Sequence, residues 1–193
     1  MEFMDKGSLK ELCNRVGCIS DSDAKYITRE ILYGISYLHL HGIVHRDIKA
    51  DNVVIDSFSR VKISDFGITK QPCFYGGVFG LQTQMIGTPS HMAPEIRGLG
   101  FPNVLYGFPA DIWSLACTVI EIITGFPPQS ENYFNSIFIG VQCGYCSIDA
   151  YRPTFSTDAC WLFIKYALHP NQIVRPSAQS LLCHPWITMV MVL

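Results

Sequence analysis

Acidic, basic and amide side chains are concentrated in one short stretch of this sequence, between His45 and Asn52. Transfer of a phosphoryl group needs a carboxylate that orients a hydroxyl and accepts its proton, oxygen ligands for Mg²⁺, and a cation near the moving phosphate. Asp47 fits the first role and Lys49 the last. Asn52 fits the second, together with Asp65, an acid that follows two apolar runs further along the chain.

The alternative for such a cluster is a polar turn between two strands, because Asp and Asn are common turn residues. An isolated Asp-Phe-Gly, as at 65–67, would be weak evidence by itself. Its position after the polar stretch at 45–52 makes an ordered pair of motifs, which is much more specific and favours the chemical interpretation.

Two short strands and one long helix must position these groups. Residues 53–55 and 60–63 are apolar runs with a turn between them, so we expect a hairpin with Asn52 at one end and Asp65 at the other. That hairpin would bring together two metal ligands that are distant in sequence. Residues 21–23 would cap a helix whose apolar positions follow helical spacing as far as about His41, and this helix would lead directly into the polar stretch.

The rest of the chain is predicted to be mainly helical. The stretch 109–124 is apolar nearly all round, which is typical of a buried helix. Ser8 and Gly17 can begin and end a short helix at 9–16. Further helices are expected at 131–142, 157–168 and 177–183. By contrast, 71–84 contains glycines and has no periodicity, so we expect a long functional loop there.

Composition indicates one domain and excludes several kinds of partner. The 193 residues are enough for a single domain with a core. Charged residues make up only 16% of them, against roughly 25% in soluble domains, which suggests an apolar face for a partner or a further domain. A net charge of −2 gives no basic excess for nucleic acid. No apolar run is long enough to span a membrane, and eight cysteines without framework spacing indicate reduced thiols in a cytoplasmic protein.

Five motifs, all in the family's order, resemble those of protein kinases. The resemblance covers the catalytic loop at 45–52, the metal-binding motif at 65–67, the end of the activation segment at 92–95, the start of the buried central helix at 111–114, and a late Arg-Pro at 175–176. Together they cover nearly the whole chain. The sequences at 47–52 and 87–89 are most similar to serine/threonine kinases of MAP kinase cascades and their relatives.

The resemblance implies a mainly α fold, α+β overall, in the form of a kinase C-terminal lobe with a small β-hairpin at the active site. Positions 1–4 resemble the hinge between kinase lobes. The 193 residues contain no Gly-rich loop, no Val-Ala-Ile-Lys strand and no helix with its partner Glu. We therefore expect residues 1–193 to be a partial kinase domain, with the hinge and the large lobe but no small lobe.

The resemblance also implies catalytic, metal and nucleotide roles. Asp47 would be the catalytic base, and Lys49 would steady the γ-phosphate of ATP. Asn52 and Asp65 would hold Mg²⁺. Adenine would be bound by three residues, the backbone of Glu2 and Met4 and the side chain of Val54 beneath the ring.

Other motif residues are expected to be structural. His45 and Phe66 would stack in a spine that crosses the kinase lobes. Asp111 would accept hydrogen bonds from the backbone of the catalytic loop, because a buried acid without partners is costly. Glu95 and Arg175 would form a buried ion pair, since the Arg fork binds a carboxylate through two bonds. The alternative for this last pair is two unrelated surface charges.

The activation segment, to which Glu95 also belongs, carries the candidates for regulation. In kinases with an arginine at the position of Arg46, this arginine often contacts a phosphate on the activation loop. Thr83 is the favoured phosphosite here. Thr88 resembles the threonine that touches the catalytic Asp47 and Lys49. Lys49 and Thr88 together favour a serine or threonine acceptor over tyrosine.

Two functions follow as hypotheses. The first is ATP- and Mg²⁺-dependent phosphoryl transfer to serine or threonine of a protein substrate, in intracellular signalling and with an upstream kinase or scaffold as a further partner. The second is a catalytically inactive kinase-lobe fragment that acts as a protein-binding module. The acids of the kinase motifs are present, which favours the first hypothesis. The missing small-lobe motifs favour the second. Ser90 and His91 replace an aromatic pair common in kinases, which affects only local packing.

Overall fold

The computed structural model describes residues 4–75, 78–80, 86–97, 106–128, 149, 152–154 and 156–188. For the strand residues 74, 75, 78 and 79 it describes the backbone alone. Glu2, Thr83 and the helix expected at 131–142 lie outside the described residues.

The described part of the chain is mainly helical, as predicted, with two small antiparallel sheets. Its α-helices are α1 (Leu9–Val16), α2 (Asp21–Leu40), α3 (Phe108–Thr124), α4 (Asp158–Ala167), α5 (Ala178–Leu182) and α6 (Pro185–Thr188). Its strands are β1 (Val53–Ile55), β2 (Val61–Ile63), β3 (Cys73–Tyr75) and β4 (Val78–Gly80). Two 3₁₀ turns, Ala50–Asn52 and Pro89–His91, lie beside the polar motifs.

The first two helices begin with side-chain caps. Ser8 and Glu11 form a reciprocal capping box at α1, and Gly17 ends that helix with a φ of 84°. For α2 the prediction that residues 21–23 form the cap is wrong by one position. Ser20 is the extended residue that accepts the amide of Asp23, so the acids of that stretch lie inside the first turn, where they face the positive end of the helix dipole.

The predicted hairpin is present and pairs β1 with β2 in antiparallel register, with Val53 opposite Ile63. Strand β2 begins at Val61, one residue later than expected. Its Ile63 packs so closely on α2 that a Cβ added at Gly34 would lie 2.8 Å from the Ile63 side chain. The small residue on α2 therefore lets the hairpin approach the helix that precedes the polar stretch.

The long loop predicted at 71–84 contains two short strands in its described part. Strands β3 and β4 pair there in antiparallel register, with Cys73 opposite Gly80. The sequence signal for this pairing is the Gly-Gly dipeptide at 76–77 between two short runs with aromatic residues, a pattern typical of tight hairpins. Strands of three residues are too short to show a period, so periodicity could not indicate them.

Helix α3 is the centre of the core. Fourteen of its residues, from Ala110 to Ile123, are buried, as the apolar stretch predicted. It packs against α2 and α4, and Gly125 ends it in the left-handed conformation at φ 81°. Among the described residues no helix is both long and apolar enough to cross a membrane, and no disulfide joins the six described cysteines.

Candidate active site

The polar stretch after α2 is held in place by a carboxylate of α3. Asp111 is fully buried and accepts the amides of His45 at 2.9 Å and of Arg46 at 2.8 Å. This confirms the predicted hydrogen bonds to the catalytic-loop backbone. His39, near the end of α2, adds a contact from Nε2 to Asp111 at 2.9 Å. The buried acid is therefore fully paired, and it fixes a backbone that adopts a strained positive φ of 73° at Arg46.

Asp47 lies at the centre of a tight polar cluster. Its Oδ1 accepts the amide of Thr88 at 3.0 Å and the Thr88 hydroxyl at 2.6 Å. Its Oδ2 accepts Asn52 Nδ2 at 2.9 Å and lies 3.0 Å from Lys49 Nζ. Lys49 also donates to the Thr88 hydroxyl at 2.7 Å, so the predicted contacts of Thr88 with both residues are present.

These donors set the charge on Asp47. Partial burial would raise the pKa of its carboxyl, but hydrogen bonds from Thr88, Lys49 and Asn52 outweigh burial and hold the pKa below its usual value. Asp47 is therefore ionised at neutral pH. An ionised carboxylate accepts hydrogen bonds and donates none, which is the state needed to orient a substrate hydroxyl.

The β1–β2 register brings the two predicted metal ligands to the same end of the hairpin. Ser64 donates its amide to the carbonyl of Asn52 at 2.8 Å, and Asp65 follows Ser64 directly. The side-chain nitrogen of Asn52 is bonded to Asp47, which turns its amide oxygen into the available ligand atom. Asp65 has a φ of 60°, an unusual backbone conformation for a residue other than glycine.

This donor set fits Mg²⁺ in particular. Mg²⁺ is commonly held by one or two protein oxygens together with water and phosphate oxygens, rather than by a closed protein cage. In the described part of the chain no three His, Cys, Asp or Glu side chains form a group that could hold a metal ion. One carboxylate and one amide oxygen at the end of a hairpin are ligands of this kind, and the metal-binding roles of Asn52 and Asp65 stay predictions.

The two spine candidates touch each other. The rings of His45 and Phe66 lie edge to face with centroids 5.2 Å apart, and His45 Nε2 is 3.1 Å from the carbonyl of Ser64. Phe66 is 49% exposed, so one of its faces is open to a further partner. Their contact was predicted, and the wider spine stays a prediction.

Arg46 points along the segment that follows Asp65. Its Nε donates to the carbonyl of Ile68, and Nη1 donates to the Tyr106 hydroxyl at 3.3 Å. The contact expected with a phosphate on Thr83 is not tested, because Thr83 lies outside the described residues.

The predicted nucleotide side is formed by the chain before α1 and by β1. Lys6 and Ile55 are joined by a backbone hydrogen bond of 3.2 Å, so the N-terminal segment runs beside the strand. Val54 lies on the less buried face of β1, where it could pack against a flat ring. The carbonyl of Met4 accepts the amide of Gly7 at 3.1 Å. The adenine-binding roles of these residues and of Glu2 stay predictions.

The predicted ion pair between Glu95 and Arg175 is present and buried. Nη1 and Nη2 of Arg175 donate to the two carboxylate oxygens at 2.8 and 3.0 Å. Bonds to the carbonyls of His169 at 3.0 Å, Pro109 at 2.7 Å and Pro170 at 3.5 Å use the remaining N–H groups. The alternative of two surface charges is excluded. This pair ties the end of the 92–95 motif to the start of α3.

Sequence reasoning missed a second carboxylate of α3. Glu121 is buried, and its Oε1 accepts Lys10 Nζ at 2.8 Å. Its Oε2 lies 3.3 Å from His91 Nε2 and 3.4 Å from the amide of Ala50. The signal was available, because Glu121 and Asp111 are the only charges of an otherwise apolar helix. A charge in a helix that is buried all round must have partners, and these partners connect Glu121 to the polar cluster.

Comparison with known proteins agrees with this geometry. The family model of the protein kinase domain matches residues 1–187. The chain is 37% identical over 191 residues to mitogen-activated protein kinase kinase kinase 2 of Arabidopsis thaliana. The aligned region covers 97% of this chain and 28% of that relative. It is 40% identical over 191 residues to mitogen-activated protein kinase kinase kinase 6 of Homo sapiens. That alignment covers 97% of this chain and 14% of that relative.

A relative from Caenorhabditis elegans, mitogen-activated protein kinase kinase kinase nsy-1, is 39% identical over 191 residues, with 97% of this chain and 12% of that relative covered. The chain thus spans less than a third of the length of each of these three curated relatives. The family model nevertheless spans nearly the whole chain, including the motifs that form the polar cluster. The chain belongs to the protein kinase domain family, and the three relatives named here are mitogen-activated protein kinase kinase kinases.

Proposed function

We propose that this chain is the catalytic large lobe of a protein kinase that transfers the γ-phosphoryl group of ATP to serine or threonine of a protein substrate. The observation that carries the proposal is the cluster in which Asp47, Lys49, Asn52 and Thr88 are joined by direct hydrogen bonds. Such a cluster has the carboxylate, the cation and the metal-facing amide that phosphoryl transfer needs, and all three are placed by buried elements.

The cluster also indicates how a substrate would enter. A carboxylate offers roughly four acceptor sites. The carboxylate of Asp47 already has four contacts, with the amide and the hydroxyl of Thr88, with Asn52 Nδ2 and with Lys49 Nζ. When Lys49 turns to the phosphate of a bound nucleotide, its site on Asp47 becomes available to the hydroxyl of the protein substrate. Asp47 then orients that hydroxyl and takes up its proton as the phosphoryl group moves.

Thr88 keeps Asp47 in position during this exchange. The amide and the hydroxyl of Thr88 both donate to Oδ1 of Asp47, which fixes the rotation of the Asp47 side chain while Oδ2 changes partners. Because the transition state of phosphoryl transfer is loose, positioning of the hydroxyl matters more than the basicity of Asp47. A base with a lowered pKa is compatible with this chemistry.

Mg²⁺, when bound with the nucleotide, would neutralise charge on the phosphates. Asn52 and Asp65 would hold it through the amide oxygen and the carboxylate, on the end of the β1–β2 hairpin. Val54 and the backbone of Glu2 and Met4 would bind the adenine. The support for these roles is the burial pattern of β1 and the donor set described above.

Similarity to MAP kinase kinase kinases supports a place in a signalling cascade. We propose that the substrate is itself a protein, with an upstream kinase or a scaffold as a further partner, and that the protein acts in the cytoplasm. Thr83 is the proposed regulatory phosphosite. Its phosphate would be drawn to Arg46, and replacement of Thr83 by Ala should lower activity without a change in melting temperature.

The test is radiolabel transfer from ATP to a generic protein substrate, followed by identification of the labelled amino acid. Because the 193 residues carry the motifs of a large lobe, the chain is joined at Met1 to the small lobe of a matched kinase relative. We expect label on serine and threonine, and a loss of about 100- to 10,000-fold in the Asp47→Asn variant. The chain without the added lobe should bind nucleotide weakly and have negligible turnover, because no small lobe then helps to position the nucleotide.

Each result has a defined meaning. No transfer by the joined protein would reject the kinase proposal and support the alternative of a catalytically inactive, protein-binding module. Robust transfer by the chain alone, abolished by Asp47→Asn, would show that the added lobe is unnecessary. Label on tyrosine only would reject the proposed acceptor class.

A further inference from the structure

Helix α3 contributes two buried carboxylates near the polar cluster, and only one of them has a role in the proposed function. Asp111, near the start of the helix, fixes the backbone before Asp47. Glu121, near its end, has 2% of its side chain exposed and binds Lys10 of α1. The mechanism does not use Glu121, yet its contacts lead to the other side of the cluster, where Thr88 lies.

His91 is the link between Glu121 and Thr88. Its ring nitrogen Nε2 lies 3.3 Å from Glu121 Oε2, within ion-pair distance although not in hydrogen-bond geometry. Its carbonyl accepts the hydroxyl of Ser114, also on α3, at 2.9 Å. His91 is therefore fastened to α3 at two points two turns of helix apart. Its own amide donates to the carbonyl of Thr88 at 2.9 Å and closes the turn Pro89–His91.

The imidazole has a defined orientation. Ser90 Oγ lies 2.9 Å from Nδ1 of His91, so the tautomer that satisfies both neighbours accepts the Ser90 hydroxyl at Nδ1 and carries its proton on Nε2, toward Glu121. His91 is 3% exposed, and a ring so enclosed cannot swing away without opening the turn.

Glu121 is charged in this setting. Burial would raise the pKa of its carboxyl, but the contacts with His91 and Lys10 outweigh burial and hold the pKa at about 2. A buried charge of this kind keeps its partners in place, because separation from either of them leaves the carboxylate unpaired.

We propose that Glu121, Lys10 and His91, called here the Glu121 anchor, position Thr88 against Asp47 and Lys49. Asp111 holds one side of the cluster and the Glu121 anchor holds the other, both from the same helix. This inference rests on the proposed function only for its effect on catalysis. The positioning of Thr88 itself is a property of the folded chain and can be measured without ATP.

The direct measurement is hydrogen exchange at the amide of Thr88, which donates to Asp47. It is followed by NMR in the 193-residue chain, with α2 amides as reporters of global opening. Glu121→Gln and His91→Leu should speed exchange of the Thr88 amide by about tenfold or more beyond any rise at the α2 amides, which follow only the loss of global stability. His91→Gln, which keeps a donor near the position of Nε2, should restore most of the protection.

Thr118→Val is the matched control. Thr118 is buried on α3 one turn before Glu121, and its hydroxyl binds the carbonyl of Ser114 within the helix. It should not speed Thr88 exchange selectively. If Glu121→Gln or His91→Leu fails to fold, Lys10→Met decides the question, because Lys10 is 25% exposed and its replacement leaves the core intact. A selective rise at Thr88 supports the anchor, and parent exchange in that variant overturns it.

A kinetic measurement on the chain joined to a small lobe adds a second readout. His91→Leu should lower kcat about tenfold with KM for ATP unchanged, because misplacement of Thr88 acts on the base and not on nucleotide binding. His91→Gln should recover most of kcat. Unchanged Thr88 exchange in both Glu121→Gln and His91→Leu, or an equal rise in Thr118→Val, would overturn the proposal. An inactive parent would reject the proposed function, and the exchange rates alone would then decide whether the anchor positions Thr88.

Discussion

The carboxylates of Glu95 and Glu121 are both buried beside α3, but the structure neutralises them in different ways. Glu95 meets the fork of Arg175, whose side chain is fully buried and whose N–H groups all have acceptors in the protein. Glu121 instead meets Lys10, which is partly open to solvent, and the ring of His91.

The two glutamates therefore differ in how far water can replace their partners. The Glu95–Arg175 pair has almost no access to water, so loss of either partner leaves an unpaired charge in the core. The Glu121 anchor lies at the edge of α1, and water can reach Lys10 and replace part of its contribution. We therefore expect the first pair to govern whether the chain folds and the second to govern how the polar cluster is held.

The largest effect should come from Arg175→Ala. The free energy of unfolding should fall by about 3–5 kcal/mol, because the carboxylate of Glu95 stays buried without a partner. Urea denaturation measures this change, with Arg29→Ala as the control. The side chain of Arg29 is 41% exposed and pairs with Glu30 at 3.6 Å, so its loss should change stability by no more than about 0.5 kcal/mol. Equal midpoints for Arg175→Ala and the parent would show that the buried pair is not formed in solution.

Acid should weaken the Glu121 anchor in a predictable window. The pKa of Glu121 is lowered from 4.5 to about 2 in the folded chain. A lowered folded pKa contributes stability that is present above pH 4.5 and is lost as pH falls toward 2. The contribution is on the order of 3 kcal/mol.

Urea denaturation from about pH 7 to about pH 2.5 compares the parent with Glu121→Gln across this window. The parent should be the more stable at neutral pH, and the two curves should converge as the carboxylate of the parent takes up its proton. A constant difference between the curves across this range would contradict the ion-pair account of Glu121.

Arg175→Lys sharpens the comparison by keeping the charge and removing the fork. Lysine has three donors and cannot match the two carboxylate bonds together with the three carbonyl bonds of Arg175. We expect a loss of about 2 kcal/mol, clearly smaller than that of the alanine variant. A lysine variant as unstable as the alanine variant would mean that packing of the guanidinium, and not charge, governs this site.

The smallest expected effect belongs to Lys10→Met. Partial exposure limits the loss to about 1 kcal/mol, and the parent should approach the variant as salt is raised, because partly exposed pairs are screened. Unfolding free energies at low and high salt measure both statements. A loss as large as that of Arg175→Ala, or one independent of salt, would remove the distinction between the two buried glutamates.

Much of the site was predictable because its motifs are local. Asp47, Lys49 and Asn52 lie close together in one loop, so their residue types and order alone indicate phosphoryl transfer. The ion pair of Glu95 with Arg175 was predicted through the family resemblance, across 80 residues of sequence. Strands β3 and β4 were missed because the glycines at 71–84 were interpreted as loop residues, although the first two strands are equally short. The predicted cap of α2 was one position too late because several acidic or hydroxyl residues in a row fit that role equally well.

The amino-acid sequence by itself determined where α1 begins and ends, that α3 is buried, and which side chains of the stretch 45–52 belong to the polar cluster. These depend on caps, on periodicity and on residue type, all of which act over a few positions. Tertiary structure alone decided that His39 is a further partner of Asp111 and that Lys10 and His91 are the partners of Glu121. Lys10 and Glu121 are 111 residues apart, and they meet because α1 packs on α3. A buried charge predicts that it has partners, but only the packing of distant elements selects them.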